Sequence, residues 1–209
     1  MVSFGREAPP PTSSSSMPAA SDSWTWGWPR LWPTAAAFPG RPIINRGFGG
    51  SEISDVIHYY EQVIRPYSPQ RIFLYVGDND IGRGKTAEQV FEDFRELAEL
   101  LKVDLPDAEL VFIAIKPSKL RWDKWPVMAE ANRMVQEYAA ERPRLGYADL
   151  ATPLLDRKGK PKDVFMEDGL HLDEEGYRLW QEALVPFLDA ISLDELAAIP
   201  LPTRQEPRS

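Results

Sequence analysis

Two uninterrupted apolar runs constrain the fold of this chain more than any other feature of its sequence. The runs cover residues 72–76 (IFLYV) and 110–115 (LVFIAI). An apolar run of this length that ends at turn residues is typical of a strand covered on both faces. Such strands occur in parallel sheets that lie between two layers of helices. The chain is therefore predicted to have an α/β fold with helices on both faces of the sheet.

Stretches with the helical spacing of apolar residues alternate with the strands. In chain order, the predicted elements are a strand at 43–44, a helix over 51–64, the first apolar run, a helix opened by a capping box of Thr86 and Gln89, the second apolar run, a helix over 126–140, a strand at 145–150 and a last helix capped by Asp173. In open sheets of this kind, ligands bind outside the carboxyl ends of the strands. We therefore expect the functional site at that edge.

Composition excludes several classes of function. The 209 residues are enough for one domain with a full core. The net charge of -8 argues against a nucleic-acid partner or an anionic membrane, because both require a basic surface. The absence of cysteine excludes disulfides, thiolate metal sites and a cysteine nucleophile. No apolar run approaches the roughly 20 residues that a membrane span needs.

The two ends of the chain differ in composition from its middle. Residues 1–20 are rich in Pro, Ser and Ala, which predicts a low-complexity, poorly ordered segment. A single domain is predicted over residues 21–193, followed by a loose tail over residues 194–209. The start of the chain lacks a basic region followed by an apolar one, so the expected location is the cytoplasm.

Three polar motifs follow predicted strands or precede the last helix. They are Gly-Phe-Gly-Gly at 47–50, Gly-Asp-Asn-Asp at 77–80 and Asp-Gly-Leu-His at 168–171. We call these three segments the rim. In the third motif, Asp168 can accept a hydrogen bond from one ring nitrogen of His171, which leaves the other nitrogen to take a proton. The other histidine, His58, is predicted to lie on a solvated helix face.

The first two motifs offer neutral hydrogen-bond donors. The backbone N–H of Gly50 and the side-chain amide of Asn79 would form an oxyanion hole if they converge on one point. Each motif taken alone is more often a simple turn. Their joint placement with a histidine and an acid favours a catalytic site.

The three motifs resemble the second, third and fifth sequence blocks of the SGNH hydrolases, the GDSL-type esterases and lipases. The resemblance covers residues from about 24 to 188. The distance in sequence from Ser23 to Asn45 and Gly50 resembles that in the acetylhydrolase subunits for platelet-activating factor. It implies a three-layer, flavodoxin-like fold with a parallel sheet of about five strands. It also implies that Gly50 and Asn79 form the oxyanion hole and that His171 and Asp168 are the base and its orienting acid.

The family places its nucleophilic serine in a Gly-Asp-Ser block after the first strand. The best match here is Ser21-Asp22-Ser23, so Ser23 is the predicted nucleophile. A competing alignment uses Arg30-Leu31-Trp32, which resembles a segment just after the nucleophile in some members. That alignment puts Trp26 or Gly27 at the catalytic position and leaves no serine there.

Residues 12–18 are polar where the family has an apolar strand, and a shifted reading frame is one hypothesis for this difference. The resemblance implies a serine ester hydrolase that acts on small-molecule, short-chain acyl esters without a metal or another cofactor. Two alternatives remain open: a non-catalytic binding protein of the same fold, and a metal-dependent hydrolase. The ligands of the second would be Asp78, Asp80, Asp168 and His171. The oligomeric state is not predicted.

Overall fold

The computed structural model describes residues 2–4 and 32–190, with only the backbone at 2–4. In this part of the chain, five strands form one sheet in the order β2-β1-β3-β4-β5. The strands are β1 (Val2–Phe4), β2 (Ile43–Asn45), β3 (Arg71–Leu74), β4 (Glu109–Ile113) and β5 (Leu145–Ala148). This order is that of flavodoxin-like sheets. The predicted α/β fold is confirmed, but the sheet of five strands is not parallel throughout, because β1 pairs antiparallel with both neighbours.

Seven helices of the described chain connect or cover the strands. They are α1 (Thr34–Ala37), α2 (Ile53–His58), α3 (Tyr60–Val63), α4 (Asp78–Gly82), α5 (Ala87–Asp104), α6 (Trp125–Ala140) and α7 (Glu174–Asp189), and short 3-10 turns lie at Arg65–Tyr67, Trp122–Lys124 and Thr152–Leu154. The helix predicted over 51–64 is interrupted, because the backbone at Tyr59 (φ -94°, ψ 13°) separates α2 from α3. Within the described ranges, no helix combines the length and the apolar character that crossing a membrane requires.

The predicted helix caps are present. Thr86 and Gln89 exchange two hydrogen bonds, from the Thr86 N–H to Oε1 of Gln89 (2.9 Å) and from the Gln89 N–H to Oγ1 of Thr86 (3.3 Å). Asp173 accepts a hydrogen bond from the Gly176 N–H at 2.9 Å. These contacts satisfy backbone donors that have no partner inside the first turn of a helix. Local sequence therefore sets where α5 and α7 begin.

Alternate side chains of the central strands enter two separate apolar cores. Ile72 and Leu74 of β3 pack in one core with residues of α5 and α6, such as Phe94. Phe73 packs on the other face of the sheet in a second core with Trp180 of α7. Since successive residues of a strand point to opposite faces, both faces must be apolar. This arrangement is the physical reason for the uninterrupted apolar runs.

β1 differs from the other strands in direction. It pairs antiparallel with both of its neighbours, with Val2 opposite Asn45 and Phe73, and Phe4 opposite Ile43 and Arg71. β3, β4 and β5 run parallel to one another. The chain therefore leaves β1 at the edge of the sheet opposite the rim. The three residues of β1 lie inside the segment 1–20, and the predicted domain boundaries near 20 and 193 fall outside the described residues.

Candidate active site

Backbone and side-chain contacts join the first two motifs of the rim. The side-chain amide nitrogen of Asn79 donates a hydrogen bond to the backbone carbonyl of Ser51 at 3.2 Å. Ser51 directly follows Gly50, whose φ of +71° lies in the left-handed region that favours glycine. The two predicted oxyanion donors therefore belong to segments of the chain that contact each other.

The turn that carries Gly50 is built from local hydrogen bonds. Oδ1 of Asn45 accepts a hydrogen bond from the Gly47 N–H at 2.9 Å, which is an Asx turn at the end of β2. The hydroxyl of Ser51 donates to the carbonyl of Phe48 at 3.0 Å. Both bonds close short loops, so the conformation around Gly50 is determined mainly by its own segment.

The acid and the histidine of the third motif are in direct contact. A bridge between Phe165 and Leu172 closes the loop that carries them. One carboxylate oxygen of Asp168 accepts the backbone N–H groups of Leu170 (2.8 Å) and His171 (2.9 Å), and the other contacts Nδ1 of His171. An ionised carboxylate can only accept, so Nδ1 carries the hydrogen and Nε2 is the basic nitrogen.

The surroundings of this pair keep the acid ionised. Burial raises the pKa of Asp168, but hydrogen bonds from the His171 ring and from two backbone N–H groups prevail and bring the pKa below its ordinary value. The His171 side chain is buried, with 6% of its surface exposed. An ionised acid beside a buried imidazole stabilises the imidazolium that forms when the ring takes a proton.

A buried ion cluster lies beside Asn79, and sequence reasoning did not predict it. Nζ of Lys116, with none of its side chain exposed, is 2.5 Å from one carboxylate oxygen of Asp78. Nη1 of Arg121 is 2.6 Å from the other oxygen of that carboxylate. Burial raises the pKa of Asp78, whereas the two cations lower it and prevail. A lysine placed directly after a fully apolar strand was the one signal in the sequence, and Arg121 gave none.

Asp80 of the second motif supports the fold of the rim. One of its carboxylate oxygens accepts the Gly77 N–H at 3.1 Å. The other accepts the Ile53 N–H at 3.2 Å and an ammonium hydrogen of Lys85 at 2.9 Å. Asp80 therefore connects the end of β3 to the start of α2.

The interpretation of Asp78, Asp80, Asp168 and His171 as metal ligands is corrected by these contacts. The carboxylate of Asp78 is held between a lysine and an arginine, and Asp80 has its own partners. Among the residues with a described position, no three His, Asp or Glu side chains gather as a metal ion would require. The rim is therefore not arranged as a metal centre by these four residues.

The predicted nucleophile, Ser23, lies outside the described residues, as do Trp26 and Gly27 of the competing alignment. The described chain resumes at Trp32, which is buried against Phe38 and Trp180. The side-chain amide of Asn45 donates to the backbone carbonyl of Trp32 at 3.3 Å. Because Asn45 ends β2, Trp32 lies at the carboxyl edge of the sheet.

Together these features define a class: an α/β protein with a candidate hydrolytic site at the carboxyl edge of its sheet. A sequence model of the GDSL-like lipase/acylhydrolase family matches residues 13–179. That match covers most of the chain, and the protein belongs to the GDSL-like lipase/acylhydrolase family. This membership supports ester hydrolysis as its general class of activity.

Individual proteins that resemble this chain share less than a third of the aligned residues with it. Over 139 residues the chain is 28% identical to the platelet-activating factor acetylhydrolase IB subunit alpha1 of Bos taurus and of Homo sapiens. The match covers 64% of this chain but 58% of each relative, so the chain spans little more than half the length of these curated proteins.

Solved structures share the fold at low sequence identity. One from Streptococcus pneumonia, named for a platelet activating factor, has a TM-score of 0.69 and 22% identity, and the match covers 76% of this chain and 78% of that one. A catalytic mutant of an acetylxylan esterase from Geobacillus stearothermophilus has a TM-score of 0.58 and 15% identity, with coverage of 70% and 71%. At these identities the likeness concerns the fold alone.

Proposed function

We propose that this protein is a serine ester hydrolase that acts on short-chain acyl esters. Ser23 is the nucleophile, His171 the general base and Asp168 the acid that orients the imidazole. The observation that supports this most is the contact between Asp168 and Nδ1 of His171 on a rim that also carries Gly50 and Asn79. The acid, the base and two neutral donors are the groups that acyl transfer by a serine requires.

The reaction follows from these groups. His171 takes the hydroxyl proton of Ser23 while the serine oxygen attacks the ester carbonyl. The negative charge that develops on the carbonyl oxygen is stabilised by the Gly50 N–H and the Asn79 amide. His171 then protonates the departing alcohol, and water hydrolyses the acyl-enzyme by the reverse roles. Asp168 stays ionised throughout and stabilises the imidazolium.

The length of chain before Trp32 is compatible with Ser23 in this role. Trp32 lies beside Asn45 at the carboxyl edge of the sheet. Ser23 is nine positions before Trp32 in the sequence, and an extended chain of nine residues spans up to roughly 30 Å. A serine that directly followed β1 would emerge at the opposite edge, so the nucleophile has to come from further along the chain.

Similarity to other proteins supports a small acyl group. The curated relatives are named as acetylhydrolases, and one structural neighbour is an acetylxylan esterase. Both names describe removal of an acetyl group. Acetyl and other short acyl esters are therefore the substrates that we propose.

Labelling with a fluorophosphonate tests this proposal. The probe phosphonylates an activated serine, and mass spectrometry of the digested protein locates the label. We expect the label on Ser23, and we expect Ser23→Ala and His171→Ala to lose both the labelling and the hydrolysis of a short-chain nitrophenyl ester. His58→Ala is the matched control, because His58 is exposed on α2 and contacts Tyr59 rather than the rim. Full hydrolysis by Ser23→Ala would remove Ser23 from the mechanism.

The alternative, a binding protein of the same fold without catalysis, is favoured by one observation. β1 lies between β2 and β3 and runs antiparallel to both, so in the described part of the sheet the strand between them does not end at the rim. In this case, folded protein with intact caps and cores would bind an ester ligand without hydrolysing it. The absence of labelling in folded protein, together with ligand binding by calorimetry, would identify this function.

A further inference from the structure

We propose that Arg121 is a positioning residue for the Asn79 amide and determines which end of that amide faces the oxyanion. This inference rests on the proposed function, because it concerns the same oxyanion hole. Two nitrogens of the Arg121 guanidinium, Nη1 and Nη2, each lie 3.3 Å from Oδ1 of Asn79. Arg121 follows β4 on a different segment of the chain from Asn79.

Chemistry on both sides of Asn79 permits one orientation of its amide. A guanidinium has five donors and no acceptor, so the atom that faces Arg121 has to be the amide oxygen. On the other side, the backbone carbonyl of Ser51 can only accept, so the atom that faces it has to be the nitrogen. A reversed amide would place two donors against each other at Arg121 and two acceptors against each other at Ser51.

This orientation matters because only the nitrogen end can stabilise an oxyanion. The amide nitrogen carries two hydrogens, and the bond to Ser51 uses one of them. The second hydrogen can then point to the carbonyl oxygen of the substrate. With the amide reversed, the oxygen of Asn79 would repel the developing negative charge instead.

The guanidinium is itself held in place. Nη1 of Arg121 donates to the carboxylate of Asp78 at 2.6 Å and to its backbone carbonyl at 2.7 Å. That carboxylate is fixed from the opposite side by the buried Lys116. Only 19% of the Arg121 side chain is exposed. Asp78 and Lys116 therefore act as an anchor through which Arg121 holds Asn79.

A glycine provides the space for the guanidinium. A Cβ atom at Gly82, at the end of α4, would lie 2.8 Å from Cζ of Arg121 and 3.1 Å from its Nη1. Both distances are shorter than a stable contact, and the flexible arginine side chain is the part that would move. Gly82→Ala therefore displaces Arg121 without substituting a residue of the rim.

A double-mutant cycle of Arg121→Met and Asn79→Ala tests the inference. For the nitrophenyl ester we expect Arg121→Met to lower kcat about tenfold with KM nearly unchanged, since the interaction forms in the transition state. In the Asn79→Ala background the same substitution should have almost no further effect, because its target is absent. Arg133→Met, which removes an exposed arginine of α6 paired with Glu130 and Glu137, is the matched control and should keep wild-type kcat.

Gly82→Ala provides the second variant. We expect it to lower kcat in the same direction as Arg121→Met, because the displaced guanidinium no longer faces Oδ1 of Asn79. Two results would overturn the inference. One is a fall in kcat caused by Arg121→Met that is as large in the Asn79→Ala background as in the wild type. The other is wild-type kcat in both Arg121→Met and Gly82→Ala. A difference in melting temperature between the variants does not by itself make the effect of Arg121→Met on kcat depend on the presence of Asn79.

A measurement without catalysis separates this inference from the proposed function. In nitrogen-15-labelled protein, the side-chain amide signals of Asn79 are assigned by their loss in Asn79→Asp. We expect these signals to shift, and their hydrogens to exchange faster, in Arg121→Met but not in Arg133→Met. If the wild-type protein fails to react with a fluorophosphonate and the signals still respond in this way, the proposed function is wrong and the positioning role is supported. Unchanged signals would overturn the positioning role whatever the activity.

Discussion

Two buried carboxylates of one short helix, Asp78 and Asp80, have opposite electrostatic surroundings. Both belong to the Gly-Asp-Asn-Asp motif, and they expose 4% and 0% of their surface. Asp78 is in contact with two cations, Lys116 and Arg121. Asp80 contacts one cation, Lys85, at 2.9 Å. The two residues are two positions apart in sequence, yet they lie on opposite sides of α4.

The number of carboxylates that share each cation explains the difference. Nζ of Lys85 also lies 3.0 Å from Glu52 and 2.7 Å from Asp93, so three acids share its charge. Burial therefore prevails at Asp80 and raises its pKa, whereas hydrogen bonds from Lys85 lower it only in part. At Asp78 the two cations prevail over burial and the pKa is lowered. The same residue type is thus an ionic anchor at one position and a hydrogen-bond acceptor for backbone N–H groups at the other.

Asp78→Asn is expected to have the largest effect of the changes that test this comparison. It removes the carboxylate charge that lies 2.5 Å from the fully buried Lys116 and that anchors Arg121. Breaking a buried ion pair from one side typically costs about 3–5 kcal/mol, and we expect a loss of that size in the free energy of unfolding, measured by urea denaturation.

Asp163→Asn is the matched control for that substitution. Asp163 also pairs with a lysine, Lys119, but 93% of its side chain is exposed. Exposed ion pairs contribute up to about 1 kcal/mol and often nothing measurable. Equal losses in the two variants would contradict the assignment of Asp78 as a buried ionic anchor.

Asp80→Asn should destabilise the protein less. Asparagine keeps one oxygen that can accept the N–H of Gly77 or of Ile53, and Lys85 keeps its other two carboxylates. The loss of part of a buried hydrogen-bond network costs about 1–3 kcal/mol, again measured by urea denaturation. A loss greater than that of Asp78→Asn would reverse the comparison.

The smallest expected effect is a pH dependence of opposite sign at the two sites. The folded pKa of Asp78 is lowered, so its contribution to stability is present above its unfolded pKa of about 4 and is lost as the pH falls through the folded pKa. The folded pKa of Asp80 is raised, so the folded state binds the extra proton, and the contribution of Asp80 to stability increases as the pH falls toward about 4.

Acidification should therefore reduce the difference in free energy of unfolding between the wild type and Asp78→Asn, and increase the difference between the wild type and Asp80→Asn. Urea denaturation at a series of pH values measures both differences, and a change of the same sign in both would contradict the assignment.

Local features of the fold were predictable from the sequence because their causes are local. Thr86 with Gln89 and Asp173 form their caps with residues at most three positions away. Asp168 and His171 also lie three residues apart, and their contact closes a single tight loop. The exposed position of His58 on α2 confirms the prediction that followed from the helical spacing. The catalytic roles of Ser23, His171, Asp168, Gly50 and Asn79 remain predictions.

The sequence by itself determined the α/β class, the caps, the two-sided cores and the motifs of the rim, since periodicity and short spacing carry that information. Only the tertiary structure decided the direction of β1, because its partners are 39 to 71 residues away in the chain and its short run has no distinctive pattern. It also decided that Asp78 meets Lys116 and Arg121, which lie 38 and 43 residues further on. Whether a carboxylate is an anchor or a backbone acceptor depends on the cations that the fold brings beside it, and no local pattern records those distances.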